Sequence, residues 1–281
     1  MIDTLAEMSW SFRCDGKTMS VGAMTIADAF KPYANKNRSS YHARDGSSSY
    51  FIKLHHWRRL KRRLQATFNR SVINKEWRML AVAADRGLRV PQRIAFGRRQ
   101  TMGLITHQAM LLEWIADKSQ LLSQTQDLAK SKDHERMGAV LALLSEHLKR
   151  MREAGLADRD CGLHNLLAPD VLRVAPSLEH TVWIDLEATY EAPPDDTHAT
   201  AFTVGGALND WWTACDSSEY WFRQAISRIT TCLPEPRGGW PRALRAADAI
   251  VRNQVAKMIR YGRLEHFPPP LTRALNASGS S

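Results

Sequence analysis

The stretch GLADRDCGLHNLLAPD, residues 155–170, sets an Asp and an Asn beside an apolar run. Asp160 precedes Asn165, and Leu166 and Leu167 follow directly. A buried strand accounts for the leucines and a turn tolerates Asp and Asn, but neither accounts for polar side chains at this interval. A carboxylate can accept a proton from a hydroxyl group, and carboxylate and amide oxygens are ligands that Mg²⁺ prefers. The pattern indicates a site that holds a hydroxyl group and a metal ion together.

Three more charged residues lie in patterns that place them on regular elements. Lys53 falls in the predicted strand YFIKLHHW, and Glu76 falls in the helix predicted within INKEWRMLAVAADRGLRVP. Asp185 ends a short predicted strand within HTVWIDLEATY. Taken singly, such residues are most often solvated surface charges or turn caps. In this order, and together with the Asp and Asn of the loop, they favour a nucleotide site.

The elements that would carry these residues differ between the two halves of the chain. Asp-Gly pairs at 15–16 and 45–46 lie between extended stretches and predict two hairpins. QRIAFGRR and HQAMLLEWI predict two more strands, and the helix that contains Glu76 is expected to stop at Gly87. The first half is therefore predicted to be a mostly antiparallel sheet with one helix inserted.

The second half is predicted to be mainly helical. KDHERMGAVLALLSEHLKRMREAGL places apolar residues on one helix face, and the tryptophan-rich region from about Gly206 to Arg260 also has helical character. We expect those tryptophans to lie in the core and not to form a platform for a sugar.

Composition narrows the class of protein. The 281 residues contain no apolar run near the roughly 20 residues that span a bilayer, and the N-terminus does not have the pattern of a secretory signal. The four cysteines lack the spacing of a zinc site or a disulfide framework, which favours a reducing cytosol. The net charge of +10 indicates an anionic partner.

Four short motifs, FIK, KEWR, RDC and IDL, follow one another in this order. Together they resemble the lipopolysaccharide core heptose kinases and related lipopolysaccharide kinases of the protein-kinase-like superfamily, over about residues 30–187. The resemblance implies an α+β, two-lobed protein-kinase-like fold. The N-lobe, an antiparallel sheet with one main helix, would cover residues 1–112. The mainly helical C-lobe would cover residues 113–275, before a disordered tail at 276–281.

The same resemblance assigns a role to each of the five residues and implies ATP and Mg²⁺ as cofactors. Lys53 would hold the α- and β-phosphates, and Glu76 would orient it through an ion pair. Asn165 and Asp185 would be the metal ligands. Asp160 would be the catalytic residue that accepts the proton of the acceptor hydroxyl.

Further positions follow from the resemblance by alignment. Adenine would bind backbone groups at the hinge, where Glu113 and Ile115 are the expected contacts. Arg159 would brace the catalytic loop. Asp158 stands where protein kinases have a histidine, and we expect it either to pack structurally or to bear on the acceptor. Asp210, in GGALNDWW, would support the loop from a later helix; the alternative is a surface aspartate.

The sequence departs from the kinase pattern in two places. The segment expected to cover the phosphates, YANKNRSS, contains no glycine. The segment that follows the IDL motif, LEATYEAPPDDTHATAF, has no APE motif and no long activation loop. The second departure favours a small-molecule or glycolipid acceptor over a regulated protein kinase.

The basic run HHWRRLKRRLQATFNR, residues 55–70, fits an anionic partner. A solvated helix face is the alternative reading of this run. Nucleic acid is not favoured as a partner, because no recognition motif accompanies the charge. We expect lipopolysaccharide inner-core glycolipid and the anionic cytoplasmic membrane surface as partners, and a cytoplasmic protein that is peripheral on the inner membrane.

These observations predict an ATP-dependent kinase that phosphorylates a sugar hydroxyl, a heptose in particular, of the lipopolysaccharide inner core. Two alternatives stay open. The same fold could act on a small metabolite or a protein side chain, or the chain could be a non-catalytic basic binding module with a kinase-like fold.

Overall fold

A computed structural model describes residues 11–14, 17–20, 25–30, 38–45, 48–171, 173–262 and 264–272. The chain forms two compact units. The first comprises Met1–Ala84 and Val90–Ala116, and the second comprises Asp85–Arg89 and Asp117–Ser281. The division falls after Ala116, whereas the sequence predicts a lobe boundary after residue 112. The expected tail at 276–281 lies outside the described residues.

The first unit is built on an antiparallel sheet. Among the described residues this sheet has seven strands in the order β2-β1-β6-β7-β5-β4-β3. The strands are β1 (Ser11–Cys14), β2 (Lys17–Ser20), β3 (Thr25–Phe30), β4 (Arg38–Asp45), β5 (Ser48–His56), β6 (Arg93–Thr101) and β7 (Leu104–Glu113). The pairings of β1 with β2 and of β4 with β5 confirm the two predicted hairpins.

One face of this sheet carries an apolar cluster. Ile52 and Leu54 of β5 pack there with Leu111 of β7, because alternate residues of a strand point to the same face. The other members are Tyr41, Ala43, Ala95 and Ala109. The alternation places Lys53 on the opposite face of β5.

Two helices lie between β5 and β6. Helix α1 (Leu60–Thr67) is short, and α2 (Val72–Asp85) is the main helix that the sequence predicts. Gly87 has a φ of 76°, a left-handed conformation that suits glycine after a helix end. The sequence does not predict α1 separately from the basic run that contains it.

The second unit is mainly helical, as predicted. Its described helices are α3 (Leu121–Ser131), α4 (His134–Glu153), α5 (Thr197–Ala214), α6 (Glu219–Cys232) and α7 (Trp240–Arg260). The apolar face predicted for α4 is buried, and the Asp133 side chain caps the helix by accepting from the Arg136 amide. Trp211, Trp212 and Trp221 are buried, which confirms that they belong to the core.

One short strand before α3 and four between α4 and α5 frame the predicted site residues of this unit. β8 (Ser119–Gln120), β10 (Leu166–Ala168) and β11 (Val182–Trp183) form one small antiparallel sheet, and β9 (Leu156–Asp158) pairs with β12 (Thr189–Glu191). None of the helices described here is both long and apolar enough to cross a membrane.

Candidate active site

In the first unit, Lys53 and Glu76 form an ion pair, as predicted. The Lys53 Nζ lies 2.8 Å from a Glu76 carboxylate oxygen, and the two side chains are 12% and 2% exposed. Glu76 lies on the same buried stripe of α2 as Ile73, Leu80 and Ala83. A carboxylate in such a stripe is destabilising unless it is paired. The lysine therefore compensates a buried charge and is itself held in one position.

The predicted hinge follows β7. The Glu113 amide donates to the Gln92 carbonyl at 2.9 Å, and the Trp114 amide donates to the Ser49 carbonyl at 3.3 Å. The Trp114 ring also stacks on His42, with ring centroids 3.9 Å apart. The amides of Glu113 and Trp114 therefore bond within the unit.

In the second unit, the loop that carries Asp160 is anchored by Asp158. Asp158 is fully buried at the end of β9, and its two carboxylate oxygens accept from the Asp160 amide at 2.9 Å and the Thr189 hydroxyl at 3.1 Å. Burial raises the pKa of Asp158 to about 6, although both hydrogen bonds act in the opposite direction. Of the two roles expected for this residue, these contacts support the structural one.

Asp160 itself presents its carboxylate to solvent, with 59% of the side chain exposed. The backbone carbonyl of Asp160 accepts from the Asn165 side-chain amide at 2.9 Å, which fixes the loop across its width. The neighbouring His164 is the main reason that the pKa of Asp160 is lowered. A carboxylate that is exposed, ionised and held by its backbone is suited to accept a proton.

His164 lies between two carboxylates. The His164 Nδ1 is 2.5 Å from Asp210 Oδ2, and the Nε2 is 3.6 Å from Asp160 Oδ2. Burial alone would lower the pKa of His164, but hydrogen bonds to Asp160 and Asp210 outweigh it and raise the pKa to about 10. The imidazolium thus links the exposed carboxylate to a buried one.

Of the two positions left open for Asp210, the structure shows the one in which it supports the loop from α5. It is buried, and its carboxylate accepts from the backbone amide of His164 at 3.0 Å. The loop and α5 approach so closely that side chains would not fit at two glycines. A Cβ on Gly162 would lie 2.3 Å from Asp210 Oδ2, and a Cβ on Gly206 would lie 2.5 Å from the Cys161 carbonyl oxygen.

Arg159 joins the loop to its surroundings. Its guanidinium lies over the Tyr190 ring of β12 at 5.2 Å and over the Phe202 ring of α5 at 5.4 Å from the ring centroids. Such contacts at a partly exposed site are each worth about 0.5–1 kcal/mol. The bracing that the sequence predicts for Arg159 therefore runs through aromatic faces.

Asn165 and Asp185 are brought together by the pairing of β10 with β11. Leu166 pairs with Trp183, and the Ile184 amide donates to the Asn165 carbonyl at 2.9 Å. These contacts hold the two predicted metal ligands at the same end of the strand pair. Asp185 adopts a left-handed conformation, with φ 58°.

The donor set in the second unit fits a hard cation. One carboxylate oxygen of Asp185 and one of Glu187 lie within 4.8 Å of each other. The Asn165 amide nitrogen is engaged in donating to the Asp160 carbonyl, so its oxygen is the atom that can ligate. Two carboxylates and an amide oxygen are the ligand types that Mg²⁺ prefers.

Three residues of this site were not predicted. Glu187 follows Asp185 by two positions in IDLE, where the loss of the glycine of the kinase motif was its only sequence signal. His164 and Thr189 act through contacts between segments far apart in the chain, which no local pattern reveals. The segment YANKNRSS lies outside the described residues at 33–37, and its residues 38–40 belong to β4.

Comparisons with known proteins show which family and fold this chain resembles. A family model described as the lipopolysaccharide kinase (Kdo/WaaP) family matches residues 34–196, more than half of the chain. A structure of WaaP in complex with acyl carrier protein is similar at a TM-score of 0.57 and 16% identity, over 82% of this chain and 88% of that chain. No curated protein sequence gives a significant match.

A second solved structure extends the likeness to protein kinases. The kinase domain of a rhoptry antigen specific to Toxoplasma gondii is similar at a TM-score of 0.51 and 10% identity, over 92% of this chain and 91% of that chain. The structural likenesses show a protein-kinase-like fold, as the sequence predicts. With the family match, they establish that the chain is a kinase that belongs to the lipopolysaccharide kinase (Kdo/WaaP) family.

Proposed function

We propose that this kinase transfers the γ-phosphoryl group of ATP to a sugar hydroxyl of the lipopolysaccharide inner core, and that the sugar is a heptose. The observation that carries the proposal is the anchored loop of Asp160, with its exposed carboxylate and buried supports. Phosphoryl transfer needs an attacker held in line and little covalent work from the protein. A fixed, ionised carboxylate can hold the attacking hydroxyl in line. Because the carboxylate faces solvent, the hydroxyl can belong to a bulky acceptor.

In the proposed reaction, Asp160 accepts the proton of the acceptor hydroxyl as the oxygen attacks the γ-phosphorus of ATP, the bond from that phosphorus to the β–γ bridging oxygen breaks, and ADP leaves. Lys53 binds the donor phosphates, and Glu76 keeps the ammonium group of Lys53 in position. Glu113 and Ile115 contact the adenine through their backbone groups. General-base assistance of this kind contributes about 10²–10⁴-fold to the rate.

Asn165 and Asp185 are the proposed ligands of Mg²⁺, and Glu187 joins them because of its place beside Asp185. When bound, the ion neutralises negative charge on the donor phosphates. The hydrogen bond from Asn165 to the Asp160 carbonyl also couples the geometry of the metal ligands to that of the catalytic carboxylate.

The segment that follows Asp185 supports a non-protein acceptor. After one 3₁₀ turn it enters β12, which pairs with β9. Residues 185–191 therefore form no long loop that could bind a peptide substrate or be ordered by phosphorylation. This favours a glycolipid acceptor over a protein side chain.

We also propose a cytoplasmic location, at the membrane where the glycolipid is assembled. ATP as donor supports the cytoplasm. Among cysteines whose side chains are described, Cys161 and Cys215 are buried free thiols. Burial raises the pKa of both, which makes them poorly reactive and suited to core packing.

The first prediction tests the catalytic role directly. Asp160→Asn keeps the size of the side chain but cannot accept the proton, so we expect transfer of labelled phosphate to core oligosaccharide to fall at least about 100-fold. Asp127→Asn, a surface change in α3, is the matched control and should keep full activity. Circular dichroism should show both variants folded. Full activity of folded Asp160→Asn would contradict the mechanism.

The acceptor is tested separately. Purified core oligosaccharide, a set of small sugars and a general protein substrate are incubated with enzyme and labelled ATP, and mass spectrometry locates the phosphate. We expect incorporation into a heptose of the oligosaccharide. Incorporation only into protein or a small metabolite would replace the proposed acceptor and leave the catalytic assignment intact.

A further inference from the structure

Helix α1 carries an exposed apolar stripe. Leu60 and Leu64 of α1 and Phe68, the residue directly after its last turn, follow one another at intervals of four residues and are 62%, 40% and 69% exposed. Residues at this interval lie on one side of a helix. Single exposed apolar residues are common on protein surfaces, but a contiguous row marks an interaction site.

The opposite side of α1 is fixed to the sheet. Ala66 is fully buried, the Thr67 hydroxyl accepts from the Ile105 amide at 3.0 Å, and the Arg63 guanidinium donates to the Trp57 carbonyl at 2.8 Å. The helix therefore cannot roll to bury its apolar stripe without breaking these contacts. The apolar stripe of α1 therefore stays exposed on the first unit.

Cations surround the stripe. Arg58 and Arg59 precede α1, Lys61 and Arg62 lie within it, and Arg70 follows it, all exposed. The sequence contains no acidic residue between Asp45 and Glu76. Within residues 48–171, none of the five cations forms an ion pair. The positive charge of this surface is thus not neutralised by described neighbours.

The charge is strong enough to affect neighbouring titratable groups. Burial lowers the pKa of His56, and Arg58 and Arg63 lower it further. His56 stacks on His107, with ring centroids 4.2 Å apart. Burial is also the main cause that lowers the pKa of His107 to about 4, with Arg99 and Arg63 among the smaller ones. Cations at and beside α1 therefore act on titratable side chains of the neighbouring strands β5 and β7.

We propose that α1 docks the kinase on an anionic lipid surface, with Leu60, Leu64 and Phe68 among the lipid headgroups and the flanking cations against the anionic lipids. An interfacial helix of this kind combines apolar burial with charge attraction. Nucleic acid would neutralise the cations but leave the apolar row in water. An acidic protein would need a matching apolar groove, whereas a bilayer interface accepts any such row.

Binding is measured on vesicles that contain neither acceptor nor nucleotide, so the result does not depend on the proposed reaction. Full-length protein is mixed with sedimentable vesicles of phosphatidylcholine, with and without phosphatidylglycerol, over a range of salt concentrations. We expect binding to the anionic vesicles that weakens as salt rises. Failure of the wild-type protein to bind them would overturn the proposal.

Two pairs of substitutions assign the binding to α1. Lys61→Gln with Arg62→Gln should lower the partition coefficient about 25-fold, since each cation near an anionic surface is worth about fivefold. Leu60→Ser with Phe68→Ser should lower it at least tenfold through lost apolar burial. Each pair lies on an exposed face, and circular dichroism checks that the variants remain folded.

Matched controls come from the second unit. Arg228→Gln with Lys257→Gln removes two exposed cations, and Tyr220→Ser with Tyr261→Ser removes two exposed aromatic rings. We expect each control to bind vesicles within about twofold of the wild type. Equal losses in α1 variants and controls would overturn the assignment to α1. Loss of binding to purified acyl carrier protein or to RNA, with vesicle binding retained, would show that α1 serves a different partner.

Discussion

Asp158 combines a buried position with a charge that most kinases do not place there. Its two hydrogen bonds hold the Asp160 amide and the Thr189 hydroxyl, so the loop is shaped by a carboxylate where the kinase pattern has an imidazole. Burial raises the pKa of the carboxyl to about 6. The ionised form is therefore less stable inside the protein than in the unfolded chain.

This shift predicts a specific pH dependence of stability. Because the folded-state pKa is raised above the ordinary 3.8, the native protein holds the proton longer than the unfolded chain. The contribution of Asp158 is fully present below about pH 4 and is lost as the pH rises through about 6. Asp158→Asn removes the charge and keeps an acceptor for the Asp160 amide.

We expect the variant to gain stability relative to the wild type between pH 4 and pH 7, by up to about 3 kcal/mol. Urea unfolding of both proteins at several pH values measures this difference. A constant difference across the range would show that Asp158 does not titrate near 6.

Several site residues could be predicted and others could not, for a physical reason. The Lys53–Glu76 pair was predictable because each residue lies in a short motif whose order along the chain is informative. For Asp210, which lies outside these motifs, the sequence left a surface position and support of the loop both open, and its contact with the His164 amide decides for support of the loop. The bridge made by His164 was not, because it depends on the distance between the loop and α5, which no local pattern encodes.

At the scale of elements, the catalytic loop depends on the close approach of α5. Gly206 lies against the Cys161 backbone, and a Cβ there would be 2.5 Å from the carbonyl oxygen. The Cys161 backbone cannot move aside for an added Cβ, whereas the end of a flexible side chain could. Gly138 in α4 differs, since a Cβ at that position would meet nothing within 4 Å. The two helical glycines form a matched pair.

We expect Gly206→Ala to lower the free energy of unfolding by about 1–3 kcal/mol, as overpacking does, and to reduce kcat by displacing the loop. Gly138→Ala should raise the free energy of unfolding by up to about 1 kcal/mol, because alanine favours the helix, and leave kcat unchanged. Guanidinium unfolding and steady-state kinetics measure both. Equal effects of the two substitutions would contradict the close approach.

The order of elements was largely predictable, whereas their fine division was not. The Asp-Gly pairs between extended stretches predicted the two hairpins, and the helical period of apolar residues in α4 predicted a long helix. Helix α1 could not be predicted from the basic run that contains it. Its leucines face solvent, so they do not indicate a buried helix face. The apolar run before Asp185 predicted β11, but β8, β9, β10 and β12 contain two or three residues each, too few for any period to appear.

For the whole molecule, the excess of basic residues and the kinase-like fold bear on different properties. The net charge of +10 bears on partners and location and not on the fold. Nucleotide binding is expected from the fold and the site residues. It is the property that separates an active kinase from a basic binding module that has kept a kinase-like fold.

A ligand that binds only the native state must stabilise it. ATP with Mg²⁺ at about 100 times its Kd adds about 2.7 kcal/mol, which raises Tm by roughly 5 °C for a protein of this size. We expect this shift in a thermal melt followed by tryptophan fluorescence, and we expect Asp185→Asn to reduce it. Mg²⁺ without nucleotide is the control. No shift with ATP and Mg²⁺ would favour the binding module.

The short path from Asp185 to β12 has a consequence for control of the enzyme. Residues 186–188 form a single 3₁₀ turn and residues 189–191 pair with β9, so this stretch is ordered without any covalent modification. Turnover would then follow the supply of donor and acceptor in the cell. We expect a kinase built in this way to be active without an ordering step in the segment after Asp185.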